Sequence, residues 1–286
     1  MRFPGLICST KELAAAQNPV IIDCRFDLSN PEWGYASWLE DHIQGALYAH
    51  LDGDLSGPIV RGQSGRRPLP DREILSERLR KWGVTNDSLV VTYDQGPGAY
   101  AARLWWLLRD LGDANVVVLD GGYNRWTNES RPITSSQPVP STGSFHPTDA
   151  LTRAVSAERI LKDIQSDRTP RPNDPRLSLI DAREAVRFSG RAEPIDPVAG
   201  YIPGARSYFF AENLGQDGCF DLEVIRKRFS SMRDEDMVCY CGSGVTATHN
   251  ILAIRLAGLN EPALYAGSWS GWITDPTRPV ETDPDN

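Results

Sequence analysis

Four short motifs recur in the same order in the two halves of the chain. Leu179-Ile180-Asp181-Ala182-Arg183 repeats Ile21-Ile22-Asp23-Cys24-Arg25, and Tyr201-Ile202-Pro203-Gly204-Ala205 repeats His42-Ile43-Gln44-Gly45-Ala46. Val238 to Cys241 with its following loop repeats Val91 to Asp94, and Ala266-Gly267-Ser268-Trp269-Ser270-Gly271-Trp272 repeats Asp120 to Trp126. The separations fall into two consistent groups, 158 and 159 residues for the first two pairs and 147 and 146 for the last two. A duplication of this kind requires one architecture built twice. Each half alternates short apolar runs with helical patterns, which predicts two tandem α/β domains, each with a central, mostly parallel sheet flanked by helices.

The apolar runs end abruptly on charged or glycine-rich residues. Val20 to Arg25 reads as a buried parallel strand that delivers Asp23 and Arg25 to its carboxyl end. Ser88 to Tyr93 and Asn115 to Leu119 are two further strands, and Asp71 caps a helix carrying Ile74, Leu75 and Leu79. Between Ser130 and Thr148, Ser, Thr, Pro and Gly crowd together and no periodicity survives, so this stretch reads as a linker. The expected organisation is an N-terminal domain over 1–135, a linker over 136–149 and a C-terminal domain over 150–286.

Chemistry concentrates at one junction. The run Met237-Val238-Cys239-Tyr240 stops at Cys241-Gly242-Ser243-Gly244-Val245-Thr246, and a helical pattern with Ile251, Leu252, Ile254 and Leu256 follows at once. A cysteine at a strand–loop–helix junction faces a helix N-terminus and a cluster of loop N–H groups, both of which favour thiolate over thiol. Cys241 is therefore the candidate nucleophile. Its counterpart in the first half is Asp94, a carboxylate that cannot act as a soft sulfur nucleophile, so the first domain is expected to be a chemically silent copy.

Other features narrow the class. The net charge of −8 argues against nucleic acid or an acidic membrane surface as the main partner, and no apolar run is long enough to span a bilayer. The start carries no long apolar segment, and Ser9-Thr10-Lys11-Glu12 is a capping box that opens a helix. Five cysteines, at 8, 24, 219, 239 and 241, include no C-x-x-C pair, which fits a reducing cytoplasmic compartment better than a disulfide framework or structural zinc. Cys239 is expected to pack as a small hydrophobe. His249 lies two turns down the following helix, roughly 12 Å along its axis at ~1.5 Å per residue, and is expected to be a packed helix histidine. Trp269 and Trp272 are expected in the core and the cleft wall. Six residues after Cys241 stands Ala247, so the arginine that a cysteine phosphatase loop places there is missing.

The tandem repeat, the Asp-x-Arg strand ends, the x-Ile-Pro-Gly-Ala segments and Cys241-Gly242-Ser243-Gly244-Val245-Thr246 followed by Gly267-Ser268-Trp269 resemble two-domain rhodanese-type sulfurtransferases over essentially the whole chain. Within that family the loop looks like that of 3-mercaptopyruvate sulfurtransferases, because Gly242 and Ser243 stand where thiosulfate sulfurtransferases more often carry basic residues. The resemblance implies double displacement through a Cys241 persulfide, with 3-mercaptopyruvate as the small-molecule sulfur donor. The acceptor would be a thiol, cyanide or a thioredoxin-like protein. It implies no metal or organic cofactor, and a monomer suffices. A thiosulfate:cyanide sulfurtransferase with the same mechanism is the alternative, and a persulfide-carrying binding module for a protein acceptor is the second.

The resemblance also assigns roles. Cys241 and Ser243 are the catalytic pair, and Gly242, Gly244, Val245 and Thr246 cradle the sulfur. Arg187 is the clamp for a carboxylate-bearing donor, a role that suits a planar bidentate guanidinium. Asp181 and Arg183 buttress the loop, and Asp54 belongs to the family's proton-handling set. Three departures stand out. Ile195 follows Glu193-Pro194 where a second clamp arginine is frequent, with Arg191 the nearest substitute. Tyr201 replaces the histidine of the repeated segment. Arg67 stands where a Gly-Arg-His-Pro-Leu-Pro segment carries histidine; it stabilises an anion but is no general base at neutral pH.

Overall fold

A computed structural model describes residues 5–166 and 176–283. Residues 1–4, at the start read above for an apolar segment, lie outside that range. The chain forms two compact units.

The first unit comprises Met1–Gly57, Leu69–Thr152 and Leu214–Phe220. Its described strands are β1 (Ile7–Cys8), β2 (Val20–Asp23), β3 (His42–Ile43), β4 (Leu47–Tyr48), β5 (Val90–Tyr93), β6 (Val116–Leu119) and β7 (Ile133–Thr134). Five of these form a parallel sheet in the order β1-β6-β5-β2-β4, and β3 and β7 pair antiparallel beside it. The helix Thr10–Ala15 begins with the expected capping box, Ser9 and Glu12 exchanging side-chain and backbone bonds. Asp71 caps Arg72–Lys81 by accepting the Glu73 and Ile74 N–H groups. The helix Ala99–Asp110 is buried along nearly its whole length, with Trp105 and Trp106 fully enclosed. Each tryptophan removes roughly 200 Å² from water, worth about 5 kcal/mol before the ordering cost.

The second unit comprises Pro58–Pro68, Arg153–Asn213 and Asp221–Asn286. Its described strands are β8 (Leu177–Asp181), β9 (Arg206–Ser207), β10 (Asp236–Tyr240) and β11 (Ala263–Leu264), parallel in the order β11-β10-β8-β9. The sheet repeats the first: β8, β9, β10 and β11 stand for β2, β4, β5 and β6. The parallel bridge Ala154–Leu264 stands where β1 meets β6, and the antiparallel bridge Tyr201–Glu281 where β3 meets β7. Val238, Tyr240, Trp269 and Trp272 join one buried cluster. Both tryptophans are wholly buried core, rather than one lining a cleft.

The units are not contiguous blocks of sequence. Residues 58–68 belong to the second unit and 214–220 to the first. Gly65 shows the packing behind the first exchange. A Cβ there would lie 2.5 Å from the Gly267 carbonyl oxygen and 2.8 Å from Ser270 Oγ, so only glycine allows this approach.

This strand order decides where chemistry assembles. In the second unit the chain runs from β8 outward to β9 and then returns to the other side of β8 as β10. Loops leaving the carboxyl ends of β8 and β10 therefore flank the point where the strand order reverses, which is where open parallel sheets build their sites.

Candidate active site

The loop after β10 carries Cys241 and the loop after β8 carries Asp181 to Arg187. β8 and β10 pair in register, with Tyr240 opposite Asp181. Cys241 is 2% exposed at the head of the helix Thr246–Leu256. Its Sγ accepts the Gly244 N–H at 3.1 Å. Burial pushes the thiol pKa up. The Thr246 hydroxyl and the Ser243 and Ala247 N–H groups pull it down and prevail, so it lies below the ordinary cysteine value. The loop closes this tightly because Gly244 takes φ +78°, and a Cβ there would stand 2.5 Å from the Ala266 carbonyl oxygen. Ser243 and Val245 are buried on either side.

The turn after β11 holds the loop from below. Trp269 N–H donates to the Cys241 carbonyl at 2.8 Å, Ser270 N–H to that of Gly242 at 3.0 Å, and Cys241 N–H donates to Ser268 Oγ at 3.1 Å. Ser268 adopts φ +53°, a region non-glycine residues rarely enter. Its counterpart in the first unit is Gly122, at φ +54°. The hydroxyl is what serine adds at this strained position: it accepts from Cys241 and donates to the Tyr265 carbonyl at 3.0 Å.

Asp181 and Arg183 pair at the carboxyl end of β8. Arg183 Nη2 pairs with Asp181 at 2.7 Å, donates to the Gly200 carbonyl at 2.7 Å and lies 4.8 Å over the Trp269 ring. Arg183 also reaches Glu193 at 3.2 Å. Arg187 meets Glu193 through several bonds of 2.8 to 3.2 Å and Asp196 at 3.3 Å. Arg66, on the 58–68 segment, pairs with the other oxygen of Asp196, and its backbone N–H donates to Ser270 Oγ at 3.0 Å. Both guanidiniums stand over Gly242, where a Cβ would meet Arg66 Nη2 at 3.0 Å and Arg187 Nη2 at 3.5 Å. Arg67 Nη1 lies 3.4 Å from Ser243 Oγ. Burial lowers the Arg66 pKa, and nearby Arg187 and Arg67 add to that while Cys241 opposes it.

Cys241, Ser243, Arg67, Arg187, Asp181 and Arg183 thus lie together. Asp54 belongs to the first unit, where it accepts the His50 N–H and pairs with Arg78 at 2.9 Å. Arg191 is exposed and donates to Ser189 Oγ at 3.1 Å. Reasoning from sequence alone missed Arg66, Glu193, Asp196 and Ser268. Cys239 is buried in β10 with its thiol pKa pushed up, as a small core hydrophobe should be. His249 is buried beside Asn213 and edge-on to Phe210.

The corresponding loop of the first unit is occupied by its own residue. Asp94 is buried and accepts N–H bonds from Gly96 at 3.0 Å, Gly98 at 2.9 Å, Tyr100 at 2.9 Å and Ala101 at 3.3 Å.

The rhodanese-like domain family matches this chain twice, over residues 9–129 and 162–275. The chain belongs to the two-domain rhodanese sulfurtransferases. It is 45% identical over 269 residues to a protein of Pseudomonas aeruginosa named "Probable 3-mercaptopyruvate sulfurtransferase", with 92% of each chain covered. It is 31% identical over 246 residues to the thiosulfate sulfurtransferase of Mus musculus, covering 82% of this chain and 78% of that one. Among solved structures, the 3-mercaptopyruvate sulfurtransferase from Leishmania major superposes with a TM-score of 0.81 at 29% identity, over 94% of this chain and 74% of that chain. A rhodanese-type domain therefore accounts for each half of the repeat. Among the described residues no helix is long and apolar enough to cross a membrane.

Proposed function

We propose that this protein moves sulfane sulfur from 3-mercaptopyruvate to a thiol or cyanide acceptor through a persulfide on Cys241. The observation that carries the reading is the thiolate cradle: a nearly enclosed sulfur whose charge is favoured by Gly244, Thr246 and neighbouring amides. The Cys241 thiolate attacks the donor sulfur. The donor C–S bond breaks, its electron pair stays on carbon, and the resulting enolate takes a proton to become pyruvate. Cys241 is left carrying the extra sulfur. An acceptor thiolate or cyanide then attacks the outer sulfur, the S–S bond breaks, and Cys241 leaves as thiolate.

In this reading Arg187 receives the donor carboxylate. Ser243 donates its hydroxyl to the donor carbonyl, and Arg67 stabilises the developing anion where the family places a histidine. Backbone donors around the sulfur need no reorganisation as charge moves. The first domain is silent, its loop filled by Asp94. The protein works as a cytoplasmic monomer, and a thioredoxin-like protein is a candidate acceptor.

Thiosulfate is the second donor to consider, because three arginines, Arg66, Arg67 and Arg187, gather at the loop and suit a dianion. Steady-state comparison decides between them. A higher kcat/KM for 3-mercaptopyruvate is expected, and a higher value for thiosulfate reverses the assignment. Persulfide formation without turnover to any small acceptor would instead favour a carrier for a protein partner.

A further inference from the structure

Position 195 is isoleucine, so the segment after Glu193-Pro194 supplies no second cation to the donor site. The fold brings one from elsewhere. Arg66 lies more than a hundred residues upstream, yet the segment carrying it packs in the second unit, tied by its backbone N–H to Ser270. Asp196 is buried and gives one carboxylate oxygen to Arg66 and the other to Arg187. Two like-charged groups are thereby held on either side of one carboxylate, and both reach Gly242, the residue after the nucleophile. The Arg66 side chain keeps 30% exposure and that of Arg187 15%, whereas Asp196 keeps 3%. The guanidiniums, not the carboxylate between them, present surface to an incoming ligand.

We propose that Arg66 is a second guanidinium of the donor-anion clamp and that Asp196 is the positioning residue that sets the pair. The inference rests on reading the Cys241 loop as the site of an anionic donor. A planar guanidinium on each side of an anion supplies paired N–H donors as well as charge, and attracts a carboxylate or sulfonate-type group to the sulfur. Gly242 completes the arrangement, since a side chain there would displace Arg66.

Alkylation of Cys241 tests this without a sulfur donor. The thiolate displaces iodide from either iodoacetate, which carries a carboxylate, or iodoacetamide, which is neutral and of similar size. The ratio of the two rates cancels the thiolate fraction and reads the field over the sulfur. The wild-type ratio is expected to exceed that of a free cysteine and to fall toward it as salt is raised. Arg66→Met should lower the ratio on the order of tenfold, the size of one partly screened charge contact. Arg66→Lys should restore part of it. Asp196→Asn removes a negative charge that touches both guanidiniums, which by itself would raise the ratio; a fall despite that is expected if Asp196 sets the pair, and a rise contradicts the positioning role. A wild-type ratio no higher than that of free cysteine overturns the proposal with no variant needed, as does an Arg66→Met ratio equal to wild type. A protein that transfers no sulfur from any donor would refute the proposed function while leaving this ratio intact.

Discussion

Asp94 and Cys241 stand at the same point in two copies of one loop, and in each copy the amides two and six residues further on turn toward them. For Asp94 these are Gly96 and Tyr100, and for Cys241 they are Ser243 and Ala247. The loop is an anion cradle in both. One copy holds a carboxylate fixed to the chain, and the other holds a sulfur whose charge is available for chemistry. In the proposed reading the duplication separates two uses of one backbone: internal neutralisation and nucleophile activation.

Asp94 should therefore be structural. Asp94→Ala leaves four inward N–H groups without their acceptor, and a loss of about 3 kcal/mol in stability is expected. Asp94→Asn should fall between, because its amide offers one acceptor where the carboxylate offers two. Urea unfolding monitored by tryptophan fluorescence reads both. An Asp94→Ala midpoint equal to wild type would mean that water fills the loop equally well.

The lowered thiol pKa of Cys241 has a direction that can be followed with pH. Iodoacetamide reacts with the thiolate, so the rate is at its plateau above the folded pKa and falls as pH drops through it. That midpoint is expected below the value of an unperturbed cysteine. Thr246→Val removes the largest of the favourable contributions to the thiolate, so its midpoint should move to higher pH. A profile that does not move would show that the backbone amides alone hold the charge.

How far the sequence carried the reading depends on the kind of contact. β2, β5, β8 and β10 are legible because short apolar runs closing on Asp-x-Arg, Asp-Gln-Gly or Cys-Gly have few other solutions, and the repeat presents them twice in the same order. Arg66 carries no signal of its own in sequence beside Arg67, its neighbour at a histidine position. Gly65 before two arginines was the available signal of a close backbone approach. Glu193 and Asp196 sit in a proline-rich loop with no periodicity. Arg183 and Arg187 nevertheless both needed carboxylates, and Asp181 could satisfy only one. The placement of residues 58–68 in the second unit had no local signal, because an irregular loop docks through contacts distant in sequence.

Ser268 was visible in the repeat as the partner of Gly122, but its meaning needed the backbone angle. Glycine would relieve strain of about 1 kcal/mol there while leaving the buried Cys241 N–H without its acceptor, at a cost of about 1–3 kcal/mol. Ser268→Gly is expected to destabilise by about 1 kcal/mol net. Chemical denaturation showing a gain in stability would contradict the view that the hydroxyl holds serine in this conformation.

The most direct test of the account is where sulfur resides after a single half-reaction. Protein treated with 3-mercaptopyruvate in the absence of acceptor, then digested and analysed by mass spectrometry, should carry one added sulfur atom on the peptide containing Cys241. Cys241→Ser should carry none and lose turnover. Cys239 lies on the same peptide, so fragmentation must place the sulfur on Cys241 itself. Sulfur found instead on Cys239, Cys219, Cys24 or Cys8, or turnover that survives Cys241→Ser, would contradict the mechanism.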